Sequence, residues 1–276
     1  MVLVGAACGS DGNTPALPTT ERDAGSPTAD MTAEPIDEIT IHSYLGPSLN
    51  TGNYVVESST SVVVVDTGYR GGDPEEFRAA VDSLGKPIVT VLITHDHSDH
   101  VGGLNTAFAD VPVATTAAVA ELIDAGNRDI EILDGAFTID GIDYVAEEYL
   151  DVEARAQMVI TLPDHDAIFT GDLVFNETHL FLTPNLDRWI SILEELQIDS
   201  PARVYPGHGP PADPAVYGET INYIRTAQAN LAAATNGEDY KAAMIDAYPH
   251  WQEAGLIDYY PRALLSQPIA PTTGTD

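Results

Sequence analysis

The stretch Thr94-His95-Asp96-His97-Ser98-Asp99-His100-Val101-Gly102-Gly103 decides how this chain is read. It follows Ile88–Thr94, an apolar run that reads as a strand buried on both faces. Three imidazoles and two carboxylates within positions 95–100 make a poor packing solution at the end of such a strand. Each imidazole needs its own partner, and two acids lie beside them. A divalent cation resolves the conflict, because neutral imidazole and carboxylate both suit zinc. In an extended turn His95 and His97 point to one side, while Asp99 and His100 face a neighbouring point. Two adjacent cation positions follow from that spacing.

Outward from this segment the chain alternates short strands and helices. Ile39–Tyr44, Tyr54–Glu57 and Val62–Asp66 are strand-forming runs separated by turn residues, as in a meander. Asp73–Leu84 begins with Asp-Pro and stops at Gly85, which predicts a helix. Val101–Phe108 and Thr116–Ala125 read as helices, and Ile130–Ile168 reads as strands with turns at Asp134-Gly135 and Asp140-Gly141. Leu186–Leu196 places Leu186, Ile190, Leu193 and Leu196 on one helical face, with Trp189 assigned to the core. Ala215–Ala234 and Asp239–Leu265 read as helical. No Pro/Gly/Ser-rich linker interrupts the chain after Pro35, so residues 36–276 are expected to form one α/β domain.

The 276 residues are 44% hydrophobic, enough for one complete core. Lys and Arg total 11 against 43 Asp and Glu, a formal charge of −32. That balance excludes a nucleic-acid binder that works by neutralising phosphates, and docking on anionic lipid by charge. No apolar run reaches the ~18 residues a membrane-spanning helix needs. Cys8 is the only cysteine, so any metal must be held by imidazole and carboxylate. Residues 1–35 differ from the rest: Met1–Ala7 is a short apolar run, and Gly9–Pro35 is rich in Gly, Pro, Thr, Ser and Asp, as in a disordered tether. Gly5-Ala6-Ala7-Cys8 resembles the lipobox of a bacterial lipoprotein behind a truncated signal. The resemblance implies lipidation at Cys8, hence a lipid-anchored protein, exported to the membrane, periplasm or cell exterior. The competing reading is a frayed terminus with an incidental cysteine.

The central segment resembles the His-x-His-x-Asp-His signature of the metallo-β-lactamase superfamily of hydrolases. The similarity extends over roughly residues 36–235. Val62–Asp66 with Thr67-Gly68 resembles the strand and Asp-Thr-Gly turn before that signature, and Asn53 the Asn opening the strand before it. Phe169-Thr170-Gly171-Asp172-Leu173 resembles the motif of the bridging acid, and Val204-Tyr205-Pro206-Gly207-His208-Gly209-Pro210 the motif of the last histidine. The implied fold is an αβ/βα four-layer sandwich, with C-terminal helices.

Carried over residue by residue, the resemblance gives His95, His97 and Asp172 to a first metal, and Asp99, His100, Asp172 and His208 to a second. Asp66 resembles an acid that orients a ligand imidazole from behind. The family places a further histidine on the first metal, and here the sequence departs, with no His between His100 and His165. Counting back from Pro163 puts Glu153 of Glu153-Ala154-Arg155-Ala156 at that position. A Glu reaches zinc at a distance similar to a His, so Glu153 is the expected substitute, with Asp151, Glu148 and Glu147 as alternates if the register slips. An anionic ligand weakens the pull on bound water and shifts preference towards a harder metal such as Mn or Fe. Asn176 and His179 are further candidates for the substrate pocket, and Tyr44 for its mouth.

Two divalent ions, zinc first, imply hydrolysis by metal-activated water, with Asp172 and Asp99 in the reacting centre and Asp99 holding and returning a proton. The expected partner is a small acyl compound (a lactone, thioester or β-lactam), not nucleic acid. Two other readings stay open: a mono-iron oxidoreductase resembling persulfide dioxygenases, and a non-catalytic metal-binding lipoprotein.

Overall fold

The computed structural model describes residues 31–36 and 38–260. The lipobox reading at Cys8 and the tether as far as residue 30 therefore lie outside the described residues. The last part of the expected tether, Thr32–Pro35, is corrected, because it pairs with the next strand as an edge strand of the sheet. This strand, β1 (Thr32–Ile36), not expected from the sequence, adds an edge to β2 (Ile39–Leu45), β3 (Gly52–Glu57) and β4 (Val62–Val65), which form the antiparallel meander expected from their turn residues. Parallel strands β5 (Ile88–Leu92), β6 (Val113–Thr115) and β7 (Ile130–Ile132) extend it to a seven-stranded sheet. A second sheet, of five strands, holds β8 (Gly135–Ile139), β9 (Ile142–Leu150), β10 (Ala156–Leu162) and β11 (Ala167–Phe175) in antiparallel order. Its last strand, β12 (Arg203–His208), runs parallel to β11.

The pleat sorts the side chains into layers. Val63 and Val65 of β4 join Ile41 and Leu92 in packing against Tyr144, Met158, Ile160 and Phe169 of the second sheet. Val62 and Val64 face the other way, onto Phe77 and Val81 of helix α1 (Asp73–Asp82) and onto Phe108. Beyond the second sheet, Val159, Ile168 and Val174 pack against Trp189 and Leu193 of α3 (Leu186–Leu196) and Ile221 and Ile224 of α4 (Ala215–Ala233). Trp189 is buried as expected and donates its indole N–H to the Leu173 carbonyl at 2.9 Å. The result is helix–sheet–sheet–helix, the four-layer sandwich the sequence implies.

Three helical expectations are corrected. Val101–Phe108 is a run of turns, because Gly102 and Gly103 press directly on the preceding loop. The Gly102 N–H is bound to the Gly68 carbonyl at 2.9 Å, which diverts it from a helical ladder. Thr116–Ala125 contains only the short helix α2 (Ala117–Ala120) and then breaks into turns towards Gly126. The last helix, α5 (Gly237–Ala247), stops before Pro249, and a 3-10 turn at Leu256–Asp258 follows, with residues 261–265 outside those described.

The two sheets are tied along one edge. The Met158 N–H donates to the Thr94 carbonyl at 2.7 Å, and the Tyr54 hydroxyl to the Pro206 carbonyl at 2.5 Å. Thr51 and His208 also form an isolated β-bridge across that edge. The chain leaves β4, β5 and β12 beside these ties, so their C-terminal ends project one set of side chains into one place. Tyr44 lies away from it, buried and stacked on Phe77 at 5.0 Å between ring centres, and does not line the cavity described below.

Phe77 is fully buried between Tyr44 and Phe108, so Phe77→Ala is expected to lower unfolding free energy by about 3–5 kcal/mol, read from the urea midpoint at unchanged slope.

Candidate metal centre

Six of the sequence-predicted residues come from two strand ends and one strand interior. β5 runs directly into Thr94–His100, Asp172 lies within β11, and His208 ends β12. Glu153 comes from the tight turn between β9 and β10, where Asp151 adopts φ 53° and its N–H is bound to the Arg155 carbonyl at 2.9 Å. The turn folds the Glu153 side chain inward until only 3% of the residue is exposed.

These residues form two groups that share Asp172. His95, His97, Glu153 and Asp172 each offer one ligand atom, all within 4.8 Å of one another, and Asp99, His100, Asp172 and His208 do the same. In the first group His95 Nε2 lies 3.4 Å from Asp172 Oδ2, and His97 Nδ1 lies 3.5 Å from Glu153 Oε2. In the second, His208 Nε2 is 3.3 Å from both Asp99 Oδ2 and Asp172 Oδ2, and His100 Nε2 is 3.0 Å from Asp172 Oδ1. Most of these separations are long for hydrogen bonds. Ligand atoms placed tetrahedrally at ~2.0–2.2 Å around one ion stand roughly 3.3–3.6 Å apart, which is the spacing seen here.

Several of the polar atoms facing inward have no hydrogen bond, while His208 Nε2 lies within hydrogen-bond distance of Asp172 Oδ2 and Asp99 Oδ2 accepts from Thr51 Oγ1. His95 Nε2, His100 Nε2, Asp172 Oδ1 and both Glu153 carboxylate oxygens are buried without a hydrogen bond. Each such orphan costs about 1–3 kcal/mol, more for a charged group, so this concentration calls for a cation. The donor set fits divalent metal.

The outward-facing nitrogens are, by contrast, fully engaged. Asp66, at φ 61°, turns its carboxylate behind the cluster. Its Oδ1 accepts from the Thr94 N–H at 2.8 Å, and its Oδ2 accepts from Thr94 Oγ1 at 2.7 Å and His100 Nδ1 at 2.8 Å. Since the Thr94 hydroxyl donates to Asp66, it accepts from His95 Nδ1 at 2.9 Å. His208 Nδ1 donates to the Leu49 carbonyl at 2.8 Å. Three imidazoles are thereby fixed with Nδ1 protonated and the Nε2 lone pair turned to the centre. The structure puts Asp66 in the orienting position the sequence suggested.

Electrostatics follow from burying three acids among four imidazoles. Burial, together with the Asp172 and Asp99 carboxylates, pushes Glu153 up to about 8 against the pull of His97. Burial pushes His97 down, but Glu153 and Asp172 outweigh it and hold the imidazole up at about 9. Burial and the neighbouring His100 instead take His95 down to about 4. These acids require positive charge close by, from protons or from cations.

Close approach needs glycine at one point: a Cβ on Gly207 would stand 2.0 Å from Asp172 Oδ1. A cavity of about 270 Å3 opens over His97, Asp99, Asp172 and His208. A larger cleft of about 640 Å3, walled by Glu147, Asp166, Glu195 and Asp199, contains none of the clustered residues. Asn176 and His179 do not reach the cavity. Asn176 spends its amide on the Pro210 carbonyl at 2.9 Å, and His179 is bound through Nδ1 to the Tyr223 hydroxyl at 2.9 Å, buried near Trp251. Asp151, Glu148 and Glu147, the alternates to Glu153, are likewise outside both groups. Sequence reasoning missed Thr94 as the relay to His95, and Leu49, Tyr69, Phe181, Leu256 and Tyr259 as cavity walls. Thr94 was visible as a hydroxyl beside the motif, whereas the wall residues carry no motif.

The family model described as the metallo-beta-lactamase superfamily matches residues 50–208. Among curated proteins, a lactamase-like protein of Pestalotiopsis microspora is 30% identical over 166 residues, 58% of this chain and 49% of the relative. An atrochrysone carboxyl ACP thioesterase of Aspergillus fumigatus is 27% identical over 161 residues, 58% of this chain and 50% of the relative. The chain thus spans about half the length of these curated relatives. Among solved structures, a metallo-beta-lactamase from Pontibacter korlensis superposes with a TM-score of 0.59 at 24% identity, over 71% of this chain and 99% of that one. That likeness concerns the fold.

Removing the acid behind the cluster frees both imidazoles that it orients. Asp66→Ala is expected to weaken metal affinity by roughly 10–100-fold in competition with a chromophoric chelator, with the folded circular-dichroism signature retained. An affinity equal to that of the parent protein would show that the Asp66–Thr94 network does not set the ligands.

Proposed function

The chain belongs to the metallo-beta-lactamase superfamily, and from that premise we propose that it is a binuclear metal-dependent hydrolase acting on a small acyl compound. The observation that carries this reading is the pair of four-donor groups sharing Asp172, with five of their buried inward atoms left without a hydrogen bond. A complete second group favours two ions over the mono-iron reading. It equally favours a working centre over a passive metal store.

In this reading His95, His97, Glu153 and Asp172 hold the first ion, and Asp99, His100, Asp172 and His208 the second. Divalent ions, with zinc the first expectation and Mn or Fe the alternatives, supply Lewis acidity and bring the pKa of water from ~15.7 towards ~7. The protein's own groups do the rest. Asp172, a member of both groups, would contribute to both positions. Asp99, on the cavity floor, would take the proton from the attacking water and return it to the leaving group. Asp66 and Thr94 lock the imidazoles so that no reorganisation is needed during reaction, and the buried floor limits the water that can reach the acyl carbon.

Residues 1–35 are proposed to export the protein and anchor it through lipid on Cys8. Metabolic labelling with a fatty acid should mark the parent protein and not Cys8→Ser.

Elemental analysis after loading with Zn, Mn or Fe tests the centre directly. Two ions per chain are expected for the parent, fewer than one for Asp172→Ala, and about one for Glu153→Ala. Glu153→His should restore two and shift preference towards zinc. Lactone, thioester and β-lactam hydrolysis should fall to background in Asp172→Ala and His97→Ala. A full complement of metal in Glu153→Ala would remove that residue from the shell; one iron per chain in the parent would return the oxidoreductase reading.

A further inference from the structure

The walls of the metal-edge cavity carry information about substrate that its floor does not. Above His97, Asp99, Asp172 and His208 stand Leu49, Tyr69, Phe181, Leu256 and Tyr259. Phe181 meets the His97 ring edge-on at 5.8 Å and packs on Tyr259 at 5.0 Å, forming an aromatic pair that leads from the mouth to the reacting centre. Tyr259 is half-exposed, at 50%, whereas Leu256 is buried. These walls come from places remote in sequence: the turn after β2, the loop after β4, the segment after β11 and the 3-10 turn at Leu256–Asp258.

No Lys or Arg lies among the described residues that line the cavity. Nearby cations do not enter the cavity: Arg155 is held by Asp96 at 2.8 Å, Lys241, near the Tyr259 wall in sequence, by Asp258 at 2.8 Å, and Arg70, next to Tyr69, is exposed and does not line it. The chain as a whole carries −32. A carboxylate or phosphate on a substrate would therefore lose its hydration against apolar walls with no cationic side chain to receive it. An aliphatic or aromatic tail would instead exchange water for Phe181, Tyr259, Leu256 and Leu49.

Resting on the hydrolase reading above, we propose that this cavity selects uncharged substrates with an apolar acyl tail. A lactone or ester would lay that tail between Phe181 and Tyr259, and substrates bearing a carboxylate beside the scissile bond, β-lactams included, would be rejected. Phe181 and Tyr259 are the specificity-determining residues.

Two arms test this on the full-length, metal-loaded protein. In the first, hydrolysis is compared along a series of lactones from γ-butyrolactone to δ-decanolactone and with the carboxylated β-lactam nitrocefin. Each added methylene should raise kcat/KM by roughly two- to fourfold over the first few carbons. Nitrocefin should be cleaved at least a hundredfold less efficiently than the best lactone. Phe181→Ala and Tyr259→Ala should flatten the chain-length series by raising KM for the long lactones several-fold more than for butyrolactone, read per metal-loaded centre. A flat series in the parent, or nitrocefin cleaved within tenfold of the best lactone, would overturn the proposal while leaving a hydrolase.

In the second arm, saturation-transfer NMR compares nonan-2-one, which cannot be hydrolysed, with 4-oxononanoate. Binding of the neutral ketone alone, lost in the Phe181→Ala/Tyr259→Ala double variant, supports the cavity's selectivity even if no lactone is turned over, and in that case it is the hydrolase reading that falls. Equal binding of the two ligands overturns the selectivity.

Discussion

Everything at the metal edge depends on the burial of three carboxylates, Glu153, Asp99 and Asp172, against the inward atoms of four imidazoles. Acids buried at this depth are tolerated only where positive charge and matched donors compensate their lost hydration. The structure meets part of that demand through geometry and leaves the remainder as orphaned atoms pointing at two common centres. The four-layer architecture is the means of meeting it. Parallel pairs β4–β5 and β11–β12 end at the same edge, and the cross-sheet bonds from Met158 and Tyr54 hold those ends in register.

Orientation is built one layer further out. A single carboxylate, Asp66, receives the Thr94 backbone N–H, the Thr94 hydroxyl and His100 Nδ1, and the hydroxyl passes the constraint on to His95. One left-handed residue at the end of β4 therefore sets the tautomers of two imidazoles in different groups. Such residues are costly, by about 1–3 kcal/mol, and persist where the surroundings over-determine them. Here the hydrogen bonds to Thr94 and His100 do so.

The parts of this molecule visible in sequence are those in which chemistry or pleat leaves a local trace. The run from His95 to His100 is hard to pack without a cation, and the β-branched run Val62–Asp66 reads as a strand of the meander. Ile88–Thr94, read as buried on both faces, instead has its first residues Ile88 and Val89 at least partly exposed. Glu153 was reached by register, since the strand after it fixes how far back the missing ligand must lie. Where the structure departed from expectation, a tertiary contact had overridden local preference. Val101–Phe108 has helical periodicity, but the close fit of Gly102 against Gly68 and Arg70 breaks it into turns. His179 looked like a pocket residue by its nearness to Asp172 in sequence, yet the chain turns it under Tyr223 and Trp251. The walls were invisible for a related reason. Phe181, Leu256 and Tyr259 look like ordinary core residues until the fold sets them over the metal edge.

The substitution of Glu153 for a histidine ties these strands together. On the binuclear reading proposed above, a neutral imidazole at that position would leave two carboxylates against two divalent ions, and Glu153 would make it three, which would lower the net charge of the centre by one. A less positive centre activates water less strongly and holds an anionic ligand less tightly. Both effects disfavour substrates that depend on a carboxylate for binding and favour those whose affinity comes from apolar contact. The walls supply that contact and lack the cations an anionic substrate would need. On that reading floor and walls, drawn from unrelated segments, would select in the same direction, towards the neutral, apolar acyl compound proposed above.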